Sequence, residues 1–168
     1  DGATPLFVAS LNVHGEVVRV LLEQGAEINT ACDDGATPLY IASAQGHVEV
    51  VRMLLEQGAD INKACDDGAT PLFIASYKGH VEVVRMLLEQ GADIDKARDD
   101  GATPLFVASP HGHVEVVCML LERGTDIDTA AVDGATPLSI ASGQRPGAVV
   151  SRSEEHPTDL QSRSLISA

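Results

Sequence analysis

The hexapeptide Asp-Gly-Ala-Thr-Pro-Leu recurs along the chain at a constant interval of 33 residues. Its copies begin at Asp1, Asp34, Asp67, Asp100 and Asp133. A fixed period of about 20–50 residues is typical of arrays in which each repeat is one supersecondary unit. A single unit of this kind cannot bury its apolar side chains alone, so neighbouring units must stack to form a continuous core. The sequence therefore predicts an array of stacked units.

The period divides the chain into four full units and a partial fifth, after which the pattern is lost. The units are 1–33, 34–66, 67–99, 100–132 and the partial 133–150. We expect one repeat domain over 1–150 and a disordered tail over 151–168, because the tail has few large apolar residues to bury. Residues 152–162 also resemble a peptide obtained when sequencing-adapter DNA is translated, so a second interpretation is that the tail is not native sequence.

Each unit contains the signals for two short helices, as the second unit shows. Thr37 is a good N-cap and the following proline suits the first helical position, which predicts a helix over 38–44. Gly46 can take a positive φ and end that helix. Apolar residues at helical spacing predict a second helix over 48–57, with Gly58 as its left-handed terminator.

Three local features modify or extend this pattern. Val13 stands where the other units have the helix-ending glycine, and valine is poor at positive φ, so we expect that turn to be reshaped or loose. Pro110 falls at the end of the first helix of unit four and should stop it near Ser109. Leu54 and its equivalent Leu87 should be buried between helix layers.

The unit resembles the ankyrin repeat, whose pattern is G-x-T-P-L-H, then A-x-x-G-H, then L-L-x-x-G-A-D. The second unit matches it at Gly35, Thr37, Pro38, Leu39, Ala42, Gly46, His47, Leu54, Leu55, Gly58, Ala59 and Asp60, and the resemblance extends over residues 1–142. It implies an all-α ankyrin-repeat solenoid, built from stacked helix-turn-helix units with projecting loop fingers.

One family position differs in every unit. The TPLH histidine, which in the family ties neighbouring units by hydrogen bonds, is replaced by Phe7, Tyr40, Phe73, Phe106 and Ser139. We expect the aromatic rings to offset that loss by packing.

Composition restricts the partners of the chain. Its 25 acidic against 11 basic residues give a net charge of −14, which argues against binding to nucleic-acid phosphates. No apolar run approaches the ~18 residues of a membrane span, so membrane insertion is not expected. Scarce aromatic residues argue against a small-molecule pocket. Three cysteines do not make a disulfide framework and favour an intracellular location, cytoplasmic or nuclear.

The sequence contains no motif for catalysis, and no cofactor or metal is expected. The recurring histidines His14, His47, His80 and His113 are too far apart in a stack, at ~8–10 Å between packed helices, to share a metal ion. We expect each to bond backbone groups at the start of the following helix. His111 and His113 flank Gly112, but no third ligand accompanies them.

The resemblance also implies a binding surface, since partners of the family are held by the loop tips and the inner face of the first helices. Tyr77 is the one exposed aromatic candidate, and the paired aspartates favour a basic protein partner. The residues at the matching positions are Asp33, Asp34, Gln45, Asp66, Asp67, Tyr77, Lys78, Arg98, Asp99, Asp100 and His111.

The resulting functional prediction is a non-catalytic protein–protein interaction module, an adaptor or scaffold. The alternative is a binding array taken from a longer protein whose activity, as a kinase, ubiquitin ligase or channel, lies elsewhere. In either case these residues would bind and would not catalyse.

Overall fold

The structure is a computed structural model that describes residues 2–129 and 136–137. The described part contains helices and no strand, which confirms the predicted all-α class. Its helices are α1 (Pro5–Leu11), α2 (Gly15–Glu23), α3 (Pro38–Gln45), α4 (Val48–Glu56), α5 (Pro71–Lys78), α6 (Val81–Glu89), α7 (Pro104–Ala108) and α8 (Val114–Glu122). The predicted tail and all of the partial fifth unit except Thr136 and Pro137 lie outside the described residues.

The first helix of every full unit begins with the same threonine cap. The side-chain oxygen of Thr37 accepts a hydrogen bond from the amide of Tyr40 at 3.1 Å, and Pro38 occupies the first turn. The same cap recurs at Thr4, Thr70 and Thr103. Each cap satisfies an amide that the helix itself leaves without a partner. Both helices predicted for unit two are confirmed, each within one residue at its C-terminal end.

The turn that joins the two helices of a unit requires a left-handed residue. Gly46 and Gly79 supply it with φ of 74° and 75°. Val13 takes the same conformation with φ of 62°, so the expectation of a reshaped turn is wrong. The stacked units fix the position of the chain there, and the valine accepts the strain. The predicted early stop in unit four is confirmed, since α7 ends at Ala108.

We predict that Val13→Gly stabilises the protein by about 1 kcal/mol. A left-handed conformation costs an L residue with a Cβ roughly 1–2 kcal/mol, and the greater freedom of glycine in the unfolded chain offsets part of that gain. Chemical denaturation of the two proteins gives the difference. Val13→Ala is the matched control, because it removes the exposed branched side chain and keeps a Cβ. Equal stabilisation by both variants would show that backbone strain is not the cause.

The helices form two layers, and each layer continues from one unit to the next. The first helices α1, α3, α5 and α7 pack in succession, and so do the second helices α2, α4, α6 and α8. A single apolar cluster runs between the layers from Leu6 to Leu120. Leu54 and Leu87 lie within it with none of their surface exposed, which confirms their predicted burial.

We expect Leu87→Ala to lower the free energy of unfolding by about 2–5 kcal/mol, the range for a large side chain removed from a packed core. Urea or thermal unfolding measures the change. Leu121→Ala on α8 is a useful control, because Leu121 is 36 % exposed and should cost much less. Similar losses at the two positions would contradict the stacked core.

The recurring histidines tie each unit to the one before it. The Nε2 atoms of His47 and His80 donate to the carbonyl oxygens of Leu11 and Ala44 at 3.0 Å, and His113 donates to that of Tyr77 at 2.9 Å. The prediction of backbone partners is confirmed, but their predicted location at the start of the following helix is wrong. The accepting carbonyls lie at the end of the preceding unit's first helix, where the last carbonyls lack helical partners.

The aromatic residues that replace the family histidine in units two to four belong to a second apolar cluster. Phe73 is buried together with Ala69, Ala102 and Val107, and the partly buried rings of Tyr40 and Phe106 pack against them. The expected packing of the rings is therefore present in units two to four. The ties between units therefore include histidine hydrogen bonds at one end of the first helices and aromatic packing near the other.

Candidate partner-binding surface

The second aspartate of each pair holds its own loop finger. The carboxylates of Asp34, Asp67 and Asp100 accept a hydrogen bond from the backbone amide two residues further on, at 3.0–3.1 Å. This is an Asx turn, in which the side chain replaces a backbone acceptor. These three residues were predicted as partner-binding, and the structure gives each of them a local structural role as well. All three remain exposed to solvent.

The first aspartate of each pair links its finger to the preceding one. The amides of Asp66 and Asp99 donate to the carbonyl oxygens of Asp34 and Asp67 at 3.0 Å. The carboxylate of Asp66 lies against Gly35, so close that a Cβ added to this glycine would stand 2.6 Å from the Oδ1 atom. Since the glycine has φ of 80°, both its conformation and the carboxylate exclude a side chain there. The fingers are thereby held in a row.

The row carries the predicted acidic surface, which we call the acidic stripe: Asp33, Asp34, Asp66, Asp67, Asp99 and Asp100. Arg98, another predicted site residue, stands where units one and two have a cysteine. Its guanidinium pairs with both carboxylate oxygens of Asp100 and lies 5.3 Å from the centre of the Phe73 ring. The hydrogen bond from Arg98 holds the pKa of Asp100 below its usual value. One charge of the stripe is thus compensated within the chain.

Three further predicted residues meet at the opposite end of the first helices. Tyr77, 37 % exposed at the end of α5, meets the His111 ring edge-on with 4.6 Å between ring centres. The Lys78 Nζ atom lies 5.2 Å from the Tyr77 ring centre. The Nδ1 atom of His111 donates to the carbonyl oxygen of Val107 at 2.9 Å, which fixes the ring.

The sequence prediction left His113 out of the binding set, although its ring belongs to the same group. His113 stacks on His111 with 5.8 Å between ring centres. We call Tyr77, Lys78, His111 and His113 the aromatic cluster. The sequence signal for this contact is that the two histidines are only two positions apart. Within the described residues no three potential metal ligands lie together.

Gln45 precedes the glycine that ends α3, as Lys78 precedes the one that ends α5. Its side chain is exposed, and among the described residues it has no side-chain hydrogen bond or ion pair. The structure therefore brings ten of the predicted residues into the acidic stripe with Arg98 or into the aromatic cluster, and leaves Gln45 apart from both.

Cys65 lies beside the acidic stripe, directly before Asp66. Burial raises the pKa of the Cys65 thiol to about 12; a hydrogen bond with Tyr40 acts in the opposite direction, and the charge of Asp67 adds to the increase. The pKa of Cys32, at the matching position in unit one, is also raised by burial and by Asp34 and Asp33. Because the thiolate is the reactive form, both thiols should react slowly, and Cys65 should be the slower one.

We predict that iodoacetamide at pH 8 labels Cys65 at least about tenfold more slowly than Cys32 in the folded protein, because its thiolate fraction is smaller. Peptide mass spectrometry at timed intervals measures both rates in one sample. In urea the two rates should converge, which controls for local sequence. Equal rates in the folded protein would show that Cys65 is not shielded.

Stacked helix pairs with projecting fingers define a helical repeat protein. The chain belongs to the ankyrin-repeat family: the family model described as Ankyrin repeats (3 copies) matches residues 1–65 and 60–131. Members of this family are generally protein–protein interaction modules. A search of curated proteins gives no match to this chain. No helix in the described part of the chain is long and apolar enough to cross a membrane.

Proposed function

We propose that this chain is a non-catalytic protein-interaction module, an adaptor or scaffold, that binds its partner through the loop fingers and the inner face of the first helices. The observation that carries the proposal is the position of the acidic stripe and the aromatic cluster at the two ends of α5. Asp66 and Asp67 lie just before this helix, and Tyr77 and Lys78 form its last turn. An eight-residue helix is about 12 Å long, so one extended segment of a partner can reach both.

The pattern of variation between units supports the same surface. Most of units two to four is nearly identical, since the packing contacts recur in every unit. The residues that end the first helix, or that follow it in unit four, differ between units: Ala44–Gln45, Tyr77–Lys78 and Pro110–His111. Positions that packing does not fix are the ones available for recognition, and three of them, Tyr77, Lys78 and His111, belong to the aromatic cluster.

The chemistry of the acidic stripe supports a partner with a basic surface. Arg98 compensates Asp100, whereas the neighbouring fingers add further carboxylates to a chain of net charge −14. Such a field raises the rate of encounter with a positive surface more than it raises affinity. Tyr77 supplies the short-range contact, because partly exposed tyrosines are frequent among the residues that dominate binding energy.

The proposed location is intracellular, in the cytoplasm or nucleus. Cys32, Cys65 and Cys118 are all free thiols, and free cysteines are typical of reducing compartments. The binding role requires no catalytic group, cofactor or metal.

We predict that joint replacement of Asp66, Asp67, Asp99 and Asp100 by asparagine slows association with the partner and flattens its salt dependence. Asparagine keeps an Oδ1 acceptor for the Asx turns, so the fold should be retained. Affinity capture from cell extract with the natural chain supplies the partner. Association rates at several salt concentrations are then measured for both proteins with that purified partner.

A matched control removes the same number of charges elsewhere, by changing Glu16, Glu49, Glu82 and Glu115 to glutamine in the first turns of the second helices. This variant should keep most of the rate of the natural chain. Tyr77→Ala should instead speed dissociation by about tenfold or more, as expected of a residue that dominates binding energy. Equal slowing by the asparagine and glutamine variants would show that net charge, and not the acidic stripe, guides the partner.

A further inference from the structure

The C-terminal end of α5 carries a cation that no described residue compensates with an ion pair. Lys78 is the last residue of this helix, and its side chain is exposed. Its Nζ atom lies 5.2 Å from the centre of the Tyr77 ring. In contrast, every arginine in the described part of the chain pairs with a carboxylate: Arg19, Arg52, Arg85, Arg98 and Arg123. On a chain of net charge −14, the end of α5 therefore presents a local positive charge.

The side chains around this amine are held in place and add a second donor. The Tyr77 ring meets the edge of the His111 ring, which is fixed by its hydrogen bond to the carbonyl of Val107. Among the described residues nothing bonds the Tyr77 hydroxyl, so it can donate to an incoming acceptor. The next acidic residue along the chain, Glu82, pairs with Arg85. The site thus offers an ammonium and a hydroxyl, and its nearest carboxylate in sequence is engaged elsewhere.

The other end of α5 carries the opposite charge. Asp66 and Asp67 stand in the finger before the helix and are exposed. Eight helical residues separate the two ends by about 12 Å, a distance that an extended segment covers in about four residues. Residues four apart in an extended segment also point to the same side. One side of a single segment can therefore meet the aspartates and Lys78 together.

We propose that the partner segment is bipolar: it places Lys or Arg side chains on the acidic stripe and an Asp or Glu, about four residues away, on Lys78 and the Tyr77 hydroxyl. The inference rests on the proposed function, because it requires a protein segment that lies along α5. A carboxylate at this position accepts a charge-assisted hydrogen bond from the lysine.

The same arrangement disfavours a segment that is basic throughout. Such a segment would bring a second positive charge against Lys78, and like charges placed together across an interface suppress the wrong partner. The two ends of α5 therefore select bipolar segments over polybasic ones. They also set the direction in which the segment lies.

The test selects random peptides of about twelve residues, long enough to span α5 in extended form, from a phage-displayed library. The baits are the immobilised full chain and its Lys78→Glu and Lys63→Glu variants. The natural chain should enrich peptides with an acidic residue about four positions from a basic one. The Lys78→Glu bait should select a basic residue in place of the acidic one, because the charge that attracts it is reversed.

Lys63→Glu is the matched control, since Lys63 is also an exposed lysine without an ion pair among the described residues. This bait should keep the acidic preference of the natural chain. Both substitutions change exposed side chains, so the unfolding midpoints of the two variants should stay close to that of the natural chain.

A synthetic copy of an enriched peptide measures the contact directly. Replacing its acidic residue by the corresponding amide should weaken binding to the natural chain about threefold to tenfold. The same replacement should matter little for a Lys78→Gln variant, because the opposite charge is then absent.

Two results would overturn the inference and leave the proposed function standing. One is enrichment, on the natural chain, of basic peptides that lack an acidic residue at this spacing. The other is an acidic preference that persists on the Lys78→Glu bait. A natural chain that enriches no peptide would instead count against the proposed function and, with it, against the inference.

Discussion

The contact between one first helix and the next is the interaction on which the whole structure depends. The helices of a single unit bury only part of their apolar surface, and the remainder is covered by the neighbouring units. The histidine bonds to the preceding carbonyls fix the register of this contact at one end of the helices, and the aspartate–glycine contacts fix it at the fingers. With the register set, the buried leucines of all four units join one apolar cluster.

Much of this architecture could be predicted from the sequence, because it is encoded locally. Thr37 and Pro38 mark a helix start, Gly46 a left-handed turn and Leu54 a core position, and the structure has each of them as predicted. The errors concern contacts between units. The histidines bond backward along the array, and the chain around Val13 keeps the common turn because the stack dictates it. Neither follows from residues close in sequence.

For the candidate surface as well, the sequence predicted some of the contacts between residues and missed others. Repetition with local variation pointed to Tyr77, Lys78 and His111, and the structure brings these three together. The repetition in the sequence did not reveal that His113 stacks on His111. Nor did it reveal that the two aspartates of a pair have different structural roles. One closes its own finger, and the other rests on the finger before it. Their charges are therefore presented on a backbone that their own hydrogen bonds keep rigid.

The contact between Asp66 and Gly35 also constrains how such a chain can change in length. Gly35 and Asp66 both belong to unit two, and Gly68 and Asp99 both belong to unit three, so the gain or loss of a whole unit leaves each such contact complete. A partial insertion would place another residue beneath a carboxylate and break the row. Units two and three differ at five of 33 positions, so recombination between their coding segments would exchange whole units without a faulty junction. The same replacement would move a Tyr77 or a Gln45 to a new place in the stack, and so alter the exposed surface without disturbing the scaffold.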